Sequence, residues 1–266
     1  MKWLGTSAMF LFSVSAAVSI AAEPLVVITY NIHHGRGMDG VVDLDRIVAV
    51  IRAVDPHVVC LQEVGRNLPR TEHLDFPKRF AEKLGMTVLF EPNYQFDGGD
   101  YGNATLTRLP VKAYRNIALP NPINAEPRGC LAATIEWQGQ LIDVFNTHLG
   151  LNGQERLAQA EAIIEAFGEH PVILAGDMNE LAAAPGMQRF LEHLKDTIEK
   201  QTDDTRGTVP VGAPMRRIDY ILVDERFETL SATILFNEET QVASDHLPYV
   251  ATIRLCVPET AVPEAE

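Results

Sequence analysis

The sequence is poor in several features, and each shortage excludes a class of protein. Among 266 residues there are three cysteines, Cys60, Cys130 and Cys256. None lies in a Cys-x-x-Cys pair or beside a repeated Cys/His cluster, which excludes a disulfide-stapled miniature fold and a closed Cys/His zinc site. Cys60 and Cys130 lie in apolar strand-like runs and are expected to be buried free thiols. Aromatic residues make up 7%, and no loop is rich in Trp or Phe, so nothing marks a hairpin that enters lipid. Basic residues number 22 against 36 acidic ones, a net charge of −14. Long nucleic acids are gripped through many Lys and Arg contacts to phosphate, so this balance excludes binding by surface field. It leaves open a nuclease with a small basic site, and it suits a carboxylate-rich site for cations. No Gly-x-Ser-x-Gly elbow and no His-Glu-x-x-His helix is present. The two commonest signatures of ester and amide hydrolases are thus missing.

Only one long apolar run exists. Lys2 precedes Trp3 to Ala22, which carry no charge and end in Ser19-Ile20-Ala21-Ala22 before Glu23-Pro24. The pattern reads as a secretory signal peptide over residues 1–22, cleaved after Ala21 or Ala22, and implies a secreted or periplasmic protein. An uncleaved membrane anchor is the alternative, because about 20 apolar residues can span a bilayer. Residues 23–257 read as a single domain, and 258–266, rich in Pro, Glu and Ala, as a flexible tail.

Within the domain, β-branched and apolar runs predict strands at Leu25–Tyr30, His57–Gln62, Thr87–Phe90, Ala104–Thr107, Cys130–Trp137, Leu141–Thr147, Val172–Ala175, Ile218–Val223, Leu230–Leu235 and Leu247–Leu255. Helical spacing marks Leu44 to Val54 behind Asp43, Phe76 to Leu84, Glu155 to Phe167, and a short helix near Met187–Leu194.

The chemistry lies where strands run out. Six apolar runs end in clusters of reactive polar residues: Tyr30-Asn31-Ile32-His33-His34-Gly35, Leu61-Gln62-Glu63-Val64, Phe145-Asn146-Thr147-His148-Leu149, Gly176-Asp177-Met178-Asn179, Arg217-Ile218-Asp219-Tyr220 and Ser244-Asp245-His246-Leu247-Pro248. One such cluster is an ordinary turn or cap. Six in one chain point to a site assembled from loops on a rigid sheet scaffold.

The ordered set TYNIHHG, LQEV, YGNATLTR, EPRG, FNTHL, AGDMN, RIDYI and SDHLP resembles the endonuclease/exonuclease/phosphatase superfamily, from about Thr29 to Tyr249. That group includes deoxyribonuclease-I-like nucleases, repair exonucleases, bacterial sphingomyelinases and inositol-phosphate phosphatases. The resemblance implies an α/β fold, a four-layer sandwich of two mixed β-sheets face to face with helices outside. It also implies metal-dependent hydrolysis of a phosphodiester or phosphomonoester.

Such chemistry needs a cation, a base for water, and donors for the developing charge. Asn31 and Glu63 offer oxygen ligands, with Asp245 close to the same region; oxygen-only ligation suits Mg²⁺ or Mn²⁺. By resemblance His246 is the general base, and Asp219 orients its imidazole. Asp177 aligns water or the leaving group, and Asn179 donates to a phosphate oxygen. His148 resembles a second histidine that assists the leaving group or binds phosphate, and Arg128 an arginine that contacts phosphate. Asn103 of GNATLTR faces the site, and Tyr101 is the nearest counterpart of a tyrosine in the repair-enzyme branch. His33 and His34 either line the pocket, with a transition metal as one option, or stand exposed in a loop. Arg36, Arg70 and His73 lie in loops that flank it. The implied partner is a phosphate ester: a small molecule, a nucleotide or a lipid headgroup. Nucleic acid is less favoured, and no pattern marks a protein partner. The alternatives are a secreted nuclease, and a non-catalytic protein binding a phosphate ligand on the same scaffold.

Overall fold

Alternation along the strands decides the architecture. Leu25 and Val27 face one way, Ile28 and Tyr30 the other, and both faces are buried. A strand apolar on both faces needs a layer on each side. In the computed structural model, which describes residues 23–198 and 206–256, those layers are a second sheet and a pair of helices. The expected signal peptide over 1–22 and tail over 258–266 lie outside the described residues.

In chain order the elements are β1 (Leu25–Asn31), α1 (Leu44–Val54), β2 (Val58–Arg66), α2 (Phe76–Leu84), β3 (Thr87–Phe96), β4 (Gly99–Thr107), β5 (Val111–Ala118), β6 (Gly129–Trp137), β7 (Gln140–His148), α3 (Gly153–Ile164), β8 (Val172–Asp177), α4 (Pro185–Leu191), β9 (Lys195–Asp196), β10 (Asp219–Val223), β11 (Phe227–Ile234), α5 (Thr240–Ala243) and β12 (Tyr249–Leu255). They form two six-stranded sheets, ordered β11-β12-β1-β2-β4-β3 and β5-β6-β7-β8-β10-β9. Two pairs, β1–β2 and β7–β8, are parallel, and the other pairs are antiparallel. The sandwich with outer helices is the fold the resemblance implied.

Three apolar layers hold it together. Between the sheets lie Val27, Val58, Cys60, Val144, Ile173, Ile221, Tyr249 and Ala251. Outside the first sheet, Ile47, Val48 and Ile51 of α1 and Phe76 and Phe80 of α2 cover Ile28, Tyr30 and Leu61. Outside the second, Ala160 and Ile163 of α3 and Met187 and Phe190 of α4 cover Phe145, Leu174 and Tyr220. Each such fully buried aliphatic or aromatic side chain contributes about 1.5–3 kcal/mol. Cap signals set the helix starts. The Asp43 carboxylate accepts from Asp45 N at 2.9 Å, and Asn152 Oδ1 from Gln154 N at 2.9 Å. All three cysteines are free, with Cys60 and Cys130 buried.

Two differences from the sequence reading have physical causes. Strand β5 carries no apolar alternation, because it is an edge strand whose Lys112, Ala113, Tyr114 and Arg115 are exposed. Charged edges of this kind block sheet-to-sheet association, at the cost of the usual strand signal. Strands β3 and β4 are longer than their apolar cores, because the Asp97-Gly98 turn, both residues at positive φ, lets them continue as one hairpin.

Candidate active site

The same alternation that builds the inner layer also builds the site. Along β1 the inward series runs Leu25, Val27, Thr29, Asn31. Along β7 it runs Ile142, Val144, Asn146, His148; along β8, Ile173, Ala175, Asp177; and backward along β10, Val223, Ile221, Asp219. Each series is apolar in the middle and polar at one end. The parallel pairs bring their polar ends to the same edge, where the register sets His148 opposite Asp177 and Asp177 opposite Asp219. The site is therefore the polar continuation of the inter-sheet core.

Backbone geometry completes it. Gly176 has φ 151°, and a Cβ there would come within 1.9 Å of the Thr147 carbonyl oxygen, so only glycine lets β7 and β8 meet above the site. On β2 the pairing with β4 slips between Leu61 and Val64, and Glu63 sits at φ 61°. This bulge turns Glu63 toward the site, where plain alternation after inward Gln62 would point it away. His33, His34 and Asn179 also hold positive φ, at 45°, 44° and 53°. Left-handed backbone at non-glycine residues costs energy, and its clustering here marks a site that the rest of the fold pins in place.

A chain of contacts runs through the buried floor. Asn31 Nδ2 donates to Glu63 Oε1 at 3.2 Å and to Asp177 Oδ2 at 3.1 Å. His246 Nδ1 donates to Asp219 Oδ2 at 2.9 Å, and its Nε2 faces Asp177 Oδ2 at 3.7 Å. His148 Nε2 lies 3.4 Å from the same Asp177 oxygen. Arg128 Nη1 lies 3.1 Å from His148 Nδ1 and 2.9 Å from Glu126 Oε1. Asn179 N donates to Asp177 Oδ1 at 2.9 Å, and its side-chain amide to the Leu149 carbonyl at 2.9 Å. Asp177 is thus the hub, touched by Asn31, His148, Asn179 and His246.

The two histidines are pushed in opposite directions. A guanidinium only donates, so Arg128 fixes His148 Nδ1 as an acceptor and places the proton on Nε2. Burial and the Arg128 charge push the His148 pKa down to about 3, so at neutral pH it is an uncharged Nε2–H donor aimed into the site. Burial pushes His246 down too, but the Asp219 charge and hydrogen bond, with Asp177 and Asp245, outweigh it and raise its pKa to about 10. Asp177 is raised to about 7 by burial and by Asp219. Burial also favours the neutral acid at Glu63, but contacts from His34, Asn31 and Tyr101 prevail and hold it below the usual carboxylate range. Groups pushed this far apart sort into proton donors and acceptors. For His148 the expected ¹⁵N spectrum shows one tautomer, protonated at Nε2 and uncharged from pH 8 down to pH 5. A signal titrating near pH 6.5 contradicts the Arg128 contact.

The residues expected to hold a cation fit a hard divalent ion in their chemistry: two carboxylates and an amide oxygen. Asn31 and Glu63 are in direct contact. Asp245 is joined to them through His33, whose Nδ1 is 3.8 Å from Asp245 Oδ1 and whose backbone N donates to Asn31 Oδ1 at 3.0 Å. His34 Nδ1, buried and without a hydrogen-bond partner, lies 3.8 Å from Glu63 Oε2. The pair therefore stands beside the carboxylates expected to hold the cation. Ligand atoms of Asp177, Asp219 and His246 also lie within 4.8 Å of one another, but Asp219 and His246 are already joined by their own hydrogen bond.

Asn103 stands apart. Its amide donates to the carbonyls of Gly129 at 2.9 Å and Asn146 at 3.4 Å, so it ties the sheets together beneath the site. Its neighbours do the same. Asn146 Nδ2 donates to Leu61 O, Ala104 O and Thr105 Oγ1, and its Oδ1 accepts from Gln62 Nε2 at 2.8 Å. Gln62 and Asn146 were legible only as polar strand ends. Their inward register, continuing Val58-x-Cys60 and Ile142-x-Val144, is the signal that separates supports from reactive groups. Tyr101 lies close enough to Glu63 for the two groups to shift each other's pKa, which gives that tyrosine a place beside the site.

The profile of the Endonuclease/Exonuclease/phosphatase family matches residues 28–246, a span that begins in β1 and ends at His246. The chain belongs to this family. Its members are hydrolases of phosphate esters. The uncharacterized protein YbhP of Escherichia coli strain K12 is 30% identical over 247 residues, covering 86% of this chain and 96% of that protein. A family protein of Beutenbergia cavernae is 29% identical with a TM-score of 0.76, covering 90% of this chain and 73% of that one. A mannosyl-6-phosphatase of Bacteroides thetaiotaomicron shares the fold at 21% identity and a TM-score of 0.71, covering 86% of this chain and 99% of that one.

Proposed function

We propose that the chain is an exported phosphoesterase that uses a divalent cation, Mg²⁺ or Mn²⁺, to hydrolyse small phosphate esters with water. The observation that carries this reading is the hub at Asp177, where a carboxylate-oriented histidine (His246), a neutral histidine donor (His148) and an arginine (Arg128) converge beside Asn31 and Glu63.

Asn31, Glu63 and Asp245 would hold the cation, which when bound supplies positive charge against the non-bridging oxygens. His246, once neutral, presents the Nε2 lone pair to water while Asp219 holds Nδ1–H. Asp245 is among the charges that keep His246 protonated, so neutralising Asp245 favours the free base. The Nε2–H of His148 and the guanidinium of Arg128 are placed to donate to phosphate or to the leaving oxygen. The Asn179 side-chain amide is turned toward Leu149 O here, so its role as a phosphate donor requires a rotation on binding.

Export rests on the uncharged run Trp3 to Ala22. The net charge of −14 favours small esters over long nucleic acid. Two proteins of this fold are named as phosphatases, the mannosyl-6-phosphatase and ANGEL2, a 2′,3′-cyclic phosphatase.

The test is a hydrolysis panel on the protein starting at Glu23, with Mg²⁺, Mn²⁺, Ca²⁺ or EDTA. Substrates are bis(p-nitrophenyl) phosphate, p-nitrophenyl phosphate, plasmid DNA and phospholipid vesicles. The expected result is turnover of the small esters with Mg²⁺ or Mn²⁺, lost with EDTA. Turnover that survives EDTA, or none on any ester, overturns the reading.

A further inference from the structure

One basic side chain at the rim is used by nothing described so far. Arg70 sits in the short turn Pro69–Thr71, which is anchored by buried Thr71 through bonds from its N and Oγ1 to the Leu68 carbonyl, each 3.0 Å. Its guanidinium carbon lies 4.6 Å from the Tyr101 ring centre and 4.9 Å from that of Phe96. Tyr94 stacks on Phe96 at 5.3 Å, so one aromatic wall runs across the β3–β4 hairpin.

Both ends of that wall lead into the site. Tyr101 lies within electrostatic reach of Glu63. Tyr94 is within electrostatic reach of Glu126, which pairs with Arg128, and of both Arg70 and Arg128. Two guanidiniums thus act on one tyrosine, in a protein with a large excess of acidic residues. Arg128 is positioned by the contacts of its Nη1 with Glu126 and His148. Arg70 has no carboxylate or hydrogen-bond partner among the described residues.

The stacking explains why this matters. A guanidinium lying on aromatic faces is held by cation–π attraction, and its five N–H donors lie in its own plane, at the edge. The rings fix the charge without using the donors. An exposed cation held still with its donors free is prepared for a planar or tetrahedral oxyanion. Arg70 lies 4.6 Å from the Tyr101 ring centre, and Tyr101 is within electrostatic reach of Glu63, so the guanidinium stands beside the site and makes no contact with the Asp177 hub.

Building on the phosphoesterase reading, we infer that Arg70, seated on Tyr101 and Phe96, binds a second phosphate group, so that the preferred substrates carry two phosphates: one at Asp177, His148 and Arg128, the other at Arg70.

The test compares matched ligands in the Mg²⁺- or Mn²⁺-loaded protein. Calorimetry sets 1,4-butylenebisphosphonate against butylphosphonate. Kinetics sets adenosine 3′,5′-bisphosphate against adenosine 5′-monophosphate. The expected preference for the two-anion member is tenfold or more in both, falling toward one in Arg70→Gln and partly restored in Arg70→Lys. If Arg70 serves only to seat Tyr101 against Glu63, kcat falls on both substrates alike and the preference ratio stays put, which overturns the proposal. A ratio near one in the native protein also overturns it. If the bisphosphonate preference depends on Arg70 yet no ester is hydrolysed, the anion site stands and the phosphoesterase reading falls.

Discussion

Replacing His246 by alanine lowers phosphate-ester turnover by about three to four orders of magnitude, with KM moving far less. The imidazole is the one group in the site with a nitrogen facing the hub and a carboxylate fixing its other nitrogen, the latter at 2.9 Å. Asp219→Asn costs a comparable factor, because the amide no longer secures Nδ1–H. A loss of less than tenfold in either variant removes His246 from the role of base.

The same pair leaves a mark on stability. In EDTA the His246 pKa is raised from 6.5 to about 10 in the folded protein. A base with a raised folded pKa adds stability that is complete below pH 6.5 and lost as pH rises toward 10. His148, lowered from 6.5 to about 3, finishes titrating by about pH 7, whereas Asp177, raised from 3.8 to about 7, is half titrated there. Between pH 7 and 10 Asp177 and the buried thiols of Cys60 and Cys130, which burial pushes up, also contribute, so His246 is isolated by the difference between the native protein and His246→Ala across that interval. Urea midpoints of the native protein are expected to fall across it, and those of His246→Ala to fall less. Parallel slopes contradict the Asp219–His246 pairing.

Asn146→Leu is expected to destabilise the fold by on the order of 3–5 kcal/mol, lowering Tm by about 10 °C. Asn146 is fully buried between the sheets and satisfies four partners at once: the carbonyls of Leu61 and Ala104, the Thr105 hydroxyl and the Gln62 amide. Leucine is close in size but satisfies none of them. Because Leu61 and Gln62 lead directly into Glu63, activity is expected to fall alongside stability. A calorimetric Tm within 2 °C of the native value contradicts the network.

Particular residues show how far the sequence could be read. The inward series Val27-x-Thr29-x-Asn31 and Ile173-x-Ala175-x-Asp177 are visible as alternation, because a strand's side chains change face at every residue whatever it packs against. The order of polar strand ends, from Asn31 to His246, likewise carried the resemblance and with it the sandwich. By contrast, β5 gave no signal, since its strand conformation comes from pairing with β6 at an exposed edge.

Asn103 and Asn146 looked as reactive as Asn31. Each polar strand end presents the same chemistry in sequence, and only burial between the sheets spends their amides on backbone carbonyls. Glu63 reaches the site because a bulge against β4 turns it there, a property of two strands rather than one.

The sequence by itself determined the layers, the edge at which the site forms and the residue types that fill it, because those follow from periodicity and chemical kind within single strands. The tertiary structure alone decided the division of labour. His148 is neutral because burial and the Arg128 charge disfavour its protonated form, and His246 is charged because Asp219, with Asp177 and Asp245, outweighs its burial. Arg70 is held ready by rings from another hairpin. Each of these properties depends on a neighbour distant in the chain, brought close only when the two sheets meet.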